Sequence, residues 1–276
     1  MKHNISNETY TGANGRPSLI DFTLPENFNG EVVLFIHGFM GFKDWGAWNL
    51  VQEYFVQKGF GFCKFNTSHN GGTTENGIDF PDLEAFGNNN YSKEIEDVGH
   101  VITWITKYVS SPKISIIGHS KGGAVALLSA MKYPEIVSAV TWASISSIGN
   151  RFPINEELKE WSDSGVRYVK NGRTHQELPQ YFQLYEDFKV NQRELNIEQK
   201  CREMTKPVLI MHGENDTSVP IENGQHLATW SGVTLQVIPN TDHVFGSRHP
   251  WEQATMPSPL LTLCQQTEIF ILDIEI

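Results

Sequence analysis

The stretch KISIIGHSKGG, residues 113–123, decides how this chain is read. An apolar run of the kind that fills a buried strand, KISII, leads into Gly118, Ser120 and Gly122, and GGAVALLSAMKY then continues with helical spacing. A G-x-S-x-G pattern alone occurs by chance in roughly one chain in ten of this length. Between a strand and a helix it means more, because a serine held forward on a sharp turn needs small residues two positions to either side. Ser120 is therefore the candidate nucleophile, and an ordinary strand-to-helix turn is the competing reading.

Outward from this turn, short apolar runs recur along the chain: SLIDFTL, EVVLFIHG, FGFCKFN, VSAVTWAS, KPVLIMHG and VTLQVIP. Amphipathic segments near residues 48–57, 94–109, 122–132 and 223–230 lie between them. Continuous apolar strands alternating with helices indicate a mostly parallel sheet covered on both faces, a doubly wound α/β domain. The first strands, before Gly30, are expected to form an antiparallel edge, since residues 25–30 are too few for a crossover helix. From residue 148 to about 205 the rhythm breaks into a polar, aromatic, helix-prone segment without a core-type strand. The expected organisation is a core of residues 1–147 and 206–276, with 148–205 inserted as a helical cap over the C-terminal ends of the strands, where open α/β sheets bind ligands. The Gly/Asn-rich stretches HNGGTTENG and GNNN read as surface loops.

Composition narrows the function classes. Of 276 residues, 39% are hydrophobic and 19% charged, as in ordinary globular proteins. A net charge of -11 disfavours a nucleic-acid or anionic-membrane partner. No stretch is long and apolar enough for a membrane span, and the polar start MKHNISNETY carries no signal-like apolar region. A cytoplasmic location is expected. Cys63, Cys201 and Cys264 are widely spaced and odd in number, which suits packing better than a disulfide framework or a metal knuckle. The histidines lack H-E-x-x-H or similar ligand spacing, so no metal site is expected.

A serine nucleophile needs a base in hydrogen-bond reach and an acid to orient that base. HGENDTSVP follows the strand KPVLIM and offers Asp216 and Glu214, with Asp216 nearer the far end of the loop and a helix N-cap as its alternative role. NTDHVF follows the last strand and offers His243, in competition with His226 in a helical segment and His249 before Pro250, where the terminal helix is expected to start. An oxyanion needs two preorganised N–H donors. Lys121, just after the serine at a helix N-terminus, supplies one, and Phe39 in HGFMG after the strand EVVLFI is the choice for the other.

With HGF, GHSKGG, HGENDTSVP and TDHVFGSRHP in this order at strand ends, the chain resembles the α/β-hydrolase superfamily over nearly its whole length. HGFMGFKDW and FNTSHNGG are similar to bacterial cinnamoyl and feruloyl esterases and to dienelactone-hydrolase-like or prolyl-oligopeptidase-like hydrolases. The resemblance implies an α/β-hydrolase fold and a cofactor-free serine hydrolase with a small cap, acting on a small-molecule ester as a monomer or homodimer. It implies Ser120 as nucleophile, His243 as base, Asp216 as orienting acid, and the N–H groups of Phe39 and Lys121 as oxyanion hole. Dienelactone hydrolases proper use cysteine, so that activity is not implied. Thioesters, peptides and acyl transfer use the same residues, and a non-catalytic binding module on the same fold is the alternative of another class. In the cap, Trp161, Tyr168, Tyr181, Phe182, Tyr185 and Phe188 suit packing onto the core better than an acyl pocket.

Overall fold

The computed structural model describes residues 3–274. In chain order the elements are β1 (His3–Thr11), β2 (Pro17–Leu24), β3 (Glu31–Ile36), α1 (Trp48–Gln57), β4 (Gly61–Phe65), α2 (Leu83–Gly87), α3 (Tyr91–Ile105), β5 (Lys113–His119), α4 (Lys121–Lys132) and β6 (Ile136–Trp142). There follow α5 (Asn155–Ser164), β7 (Val166–Lys170), β8 (Glu177–Tyr181), α6 (Gln183–Val190), α7 (Ile197–Glu203), β9 (Val208–Gly213), α8 (Glu222–Ser231), β10 (Gln236–Ile238) and α9 (Ser258–Leu272).

Eight strands form one sheet in the order β1-β2-β4-β3-β5-β6-β9-β10. From β4 to β10 every pairing is parallel, while β1 and β2 make the antiparallel edge expected from the short connection before Gly30. The apolar runs are continuous because both faces are covered. In β3, Val32, Leu34 and Ile36 join the core under α3 and α4, and Val33 and Phe35 join the core under α1 and α9. Among the described residues no helix is long and apolar enough to cross a membrane.

Between β6 and β9 the chain leaves the sheet and builds α5, β7, β8, α6 and α7. This insertion is not purely helical: β7 and β8 pair as an antiparallel hairpin. Its alternation is hard to read in sequence because one side faces solvent, with Tyr168 60% exposed, and only Leu178 and Pro179 of the ten strand residues are fully buried. Trp161 anchors the hairpin to α5, its Nε1–H donating to the Gln180 carbonyl at 2.8 Å. Tyr181 ties it to α2, donating its hydroxyl proton to Glu84 at 2.6 Å. Phe152, Trp161, Phe182, Tyr185 and Phe188 pack on one another with centroids 5.2–6.5 Å apart, so most of the cap aromatics serve packing.

Of the stretch expected as a surface loop, residues 69–77, only Glu75 is exposed, while 69–72 and 77 are buried together with residues 66–68 just before it. Their polar groups find partners from distant parts of the chain. Asn66 accepts the Lys43 N–H at 2.7 Å and donates to the Gly77 carbonyl at 2.9 Å, and the Ser68 N–H donates to Asp97 at 2.7 Å. Buried polar backbone is tolerable when paired in this way.

Candidate active site

Ser120 occupies the turn between β5 and α4 with φ 57° and ψ −121°, a positive φ that non-glycine residues seldom adopt. Two glycines make that turn possible. A Cβ on Gly118 would fall 2.1 Å from the Gly122 carbonyl oxygen, and one on Gly122 would fall 2.5 Å from that of His37. The turn is held by the Ser120 N–H, which donates to the Trp142 carbonyl at 2.9 Å, and by the Gly123 N–H, which donates to the Ser120 carbonyl at 3.0 Å.

Loops at the ends of β9 and β10 bring two distant side chains to this serine. His243 Nε2 lies 3.0 Å from Ser120 Oγ, and its Nδ1 lies 2.7 Å from Asp216 Oδ2. Asp216 caps no helix. Its Oδ1 accepts the N–H groups of Ser218 at 2.9 Å and Val219 at 2.8 Å, closing a turn, and α8 begins only at Glu222. Burial pushes its carboxyl pKa upward, but hydrogen bonds from His212, His243 and the Val219 N–H outweigh burial and hold it well below the ordinary carboxylate range. The ionised carboxylate favours the tautomer of His243 with its proton on Nδ1, leaving the Nε2 lone pair facing the serine hydroxyl.

The competing residues are engaged elsewhere. Glu214 is exposed and accepts the Asn240 N–H at 2.8 Å. The ring of His226 stacks on Trp230 at 5.4 Å. His249 accepts the Gly46 N–H at 3.0 Å, and it starts no helix, since α9 begins at Ser258.

Two further histidines, unmarked by any motif, brace the arrangement. His212, at the end of β9 and fully buried, places Nε2 2.8 Å from the Val219 carbonyl and 3.3 Å from Asp216 Oδ2, so its Nε2–H serves both. His119 sits between Gly118 and Ser120 with Nε2 2.9 Å from the His243 carbonyl. Burial, followed by the neighbouring His243, lowers its pKa to about 3, and the neutral ring donates its Nε2–H to that carbonyl. The only sequence signal for either is position, one residue before the nucleophile or at the end of the acid-bearing strand.

Phe39 lies on the loop after β3, which runs against the serine: a Cβ on Gly38 would be 3.0 Å from Ser120 Cβ. His37 braces this loop, donating Nδ1–H to the Gly38 carbonyl at 2.9 Å and accepting the Thr67 N–H on Nε2 at 3.2 Å. Among the described residues neither the Phe39 N–H nor the Lys121 N–H donates to a protein acceptor. Phe39, Ser120 and Lys121 share the wall of a cavity of about 350 Å³ that also reaches Phe152 and Leu184 of the insertion. None of the six cap aromatics singled out in the sequence lines it. The Lys121 ammonium is paired with buried Glu94 at 2.7 Å and lies 4.7 Å from the centroid of the Tyr91 ring.

A mostly parallel sheet, a strained serine turn and a histidine–aspartate pair on successive strand-end loops define an α/β-hydrolase, and comparison with known proteins agrees. Residues 48–254 match the prolyl oligopeptidase family, and the chain belongs to that family. An uncharacterized hydrolase of Bacillus subtilis, YugF, is 26% identical over 206 residues, covering 61% of this chain and 74% of the relative. In fold the chain is similar to Est1E from Butyrivibrio proteoclasticus solved with ferulic acid bound, with TM-score 0.72 and 19% identity over 96% of this chain and 98% of that one. It is also similar to a dienelactone hydrolase from Anabaena variabilis, with TM-score 0.64 and 15% identity over 98% and 97% of the two chains. The chain is thus a hydrolase of the α/β-hydrolase superfamily.

Proposed function

We propose that this protein hydrolyses carboxylic esters through an acyl-enzyme formed on Ser120. The observation that carries the reading is the hydrogen-bonded relay from Ser120 Oγ through His243 to Asp216, with heavy-atom distances of 3.0 and 2.7 Å. Fold neighbours described as esterases, from Rhodothermus marinus and Pyrococcus furiosus, support an ester over an amide. As Ser120 Oγ bonds to the substrate carbonyl carbon, its proton passes to His243 Nε2, and the oxyanion is met by the N–H groups of Phe39 and Lys121. Collapse breaks the ester C–O bond, and His243 delivers the proton to the departing alcohol. Water then attacks the acyl-enzyme with His243 again as base, releasing the acid and restoring the Ser120 hydroxyl.

Hydrolysis of p-nitrophenyl acetate tests the reading. The protein is expected to turn the ester over, and Ser120→Ala to lose at least about 10⁴-fold in kcat. Equal rates in the two proteins would remove the assignment, and failure of a fluorophosphonate to label folded wild-type protein on Ser120 would favour a non-catalytic module.

A further inference from the structure

The cavity beside Ser120 carries a charge pattern at odds with the rest of the molecule. The chain is acidic, with 32 Asp and Glu against 21 Lys and Arg, yet the lining of this cavity contains Lys121, Arg151 and Arg167 and no carboxylate. Lys121 is already neutralised by Glu94 behind it. The two arginines are not: among the described residues neither guanidinium forms an ion pair with a carboxylate. Arg151 is exposed and makes no side-chain hydrogen bond among the described residues, while Arg167 is half-buried in β7 of the cap hairpin.

Arg167 is held ready for a partner. Its guanidinium lies 4.2 Å from the centroid of the Trp161 ring, and its Nε–H donates to Gln180 Oε1 at 2.9 Å. Both terminal nitrogens remain without a protein acceptor among the described residues. A half-buried, stacked guanidinium with an open fork has little entropy left to lose on binding and matches a planar carboxylate. Burial disfavours its charge, and the acidic residue that acts on it, Glu157, is exposed and outside ion-pair distance.

The position of the cavity says which part of a substrate enters it. Its wall holds Ser120 with Phe39 and Lys121, whereas His243 lines a second pocket that shares Ser120 and Phe39 with the first and adds Trp45, Trp48, Asn171 and Arg173, the last already paired with Asp79 at 2.7 Å. The base that protonates the leaving alcohol faces that second pocket, so the acyl group occupies the first. We infer that the preferred substrates are esters whose acyl chain ends in a carboxylate, half-esters of dicarboxylic acids, with Arg167 and Arg151 receiving the distal carboxylate. The inference rests on the ester-hydrolase reading and sharpens it to a substrate class.

The test compares monoethyl esters of dicarboxylic acids from succinate to suberate with neutral ethyl esters of matched acyl length, by proton release in a pH-stat. Wild type is expected to favour the half-ester in kcat/KM, and the Arg151→Gln, Arg167→Gln double variant to lower the ratio of half-ester to neutral ester about tenfold to a hundredfold. Arg167→Lys, which keeps charge without the planar fork, is expected to fall between them. A wild-type ratio of one or less, or a ratio the arginine variants leave unmoved, overturns the inference while neutral-ester turnover leaves the hydrolase reading intact. If no ester turns over, that reading fails, and calorimetry of monoethyl adipate with Ser120→Ala still decides the anion site: binding lost on adding Arg167→Gln supports it, and no binding overturns it.

Discussion

Asp216 gathers four donors around one buried carboxylate: two backbone N–H groups, His243 and His212. On the proposed mechanism this fixes both the charge and the direction of the group that orients His243. Asp216→Asn presents an amide that no longer favours the Nδ1–H tautomer, and kcat at neutral pH is expected to fall roughly 10³–10⁴-fold, measured against wild type on one ester. His212 acts at one remove, as a positioning residue. His212→Leu takes away the donor at 3.3 Å from Asp216 Oδ2 and is expected to lower kcat about tenfold with KM little changed, a single lost hydrogen bond to a charged group. His212→Asn, whose amide can still donate, should recover part of the loss. A rise in KM alongside the fall in kcat, without rescue by asparagine, would mark His212 as merely structural.

The serine turn belongs to two elements at once, because β5 can hand the chain to α4 at Ser120 only if their backbones nearly touch. Gly118→Ala puts a methyl 2.1 Å from the Gly122 carbonyl, an overlap of backbone with no side chain to yield. The expected cost is about 3 kcal/mol in urea denaturation, together with lost activity. A variant as stable as wild type would show that the turn can open. This junction is visible in the sequence for the same physical reason that makes it fragile: strands buried on both faces need unbroken apolar runs, and the close approach needs glycine. That is why β3, β5 and β9 are legible, and with them the loops bearing Phe39, Ser120 and Asp216. Elements with one solvated face lack the signal. In β1, HNISNETYT buries only Tyr10, because an edge strand needs backbone partners more than apolar side chains. The β7–β8 hairpin is hidden likewise. The stretch 69–77 misleads in the other direction, since His and Asn look like surface residues unless their partners are known: His69 Nδ1 lies 2.8 Å from the Ser68 hydroxyl and Asn70 donates to the Gly41 carbonyl at 3.3 Å. His212 and His119 escape notice similarly: their importance lies in what they touch, and their neighbours in sequence do not reveal it.

Over the whole molecule, buried carboxylates pull the pH dependence of stability in opposite directions. Asp21 sits among two lysines with side chains 1–2% exposed, accepting from Lys43 at 2.8 Å and Lys64 at 2.7 Å. Burial raises its pKa, but Lys64, the Asn7 N–H and Lys43 overcome burial and lower it. Asp21 and Asp216 therefore contribute stability above the unfolded aspartate pKa that is lost on acidification. Asp97 behaves oppositely. It is fully buried, and among the described residues no cation bonds to it; it accepts the N–H groups of Ala13 and Ser68 at 2.7 Å each. Burial, reinforced by the charge of Glu94, raises its pKa from the ordinary 3.8 to about 7. Between those values the folded state keeps a proton that the unfolded chain has released, so stability falls as pH rises through this window and levels off above it. The free energy of urea unfolding is expected to drop by roughly 3 kcal/mol more in wild type than in Asp97→Asn on going from about pH 5 to about pH 8. The amide leaves one of the two N–H groups without its acceptor, a loss the same at every pH, so the variant starts lower and its profile is flatter. Parallel profiles for the two proteins would mean that Asp97 is ionised in the fold throughout, stabilised by its two N–H donors alone.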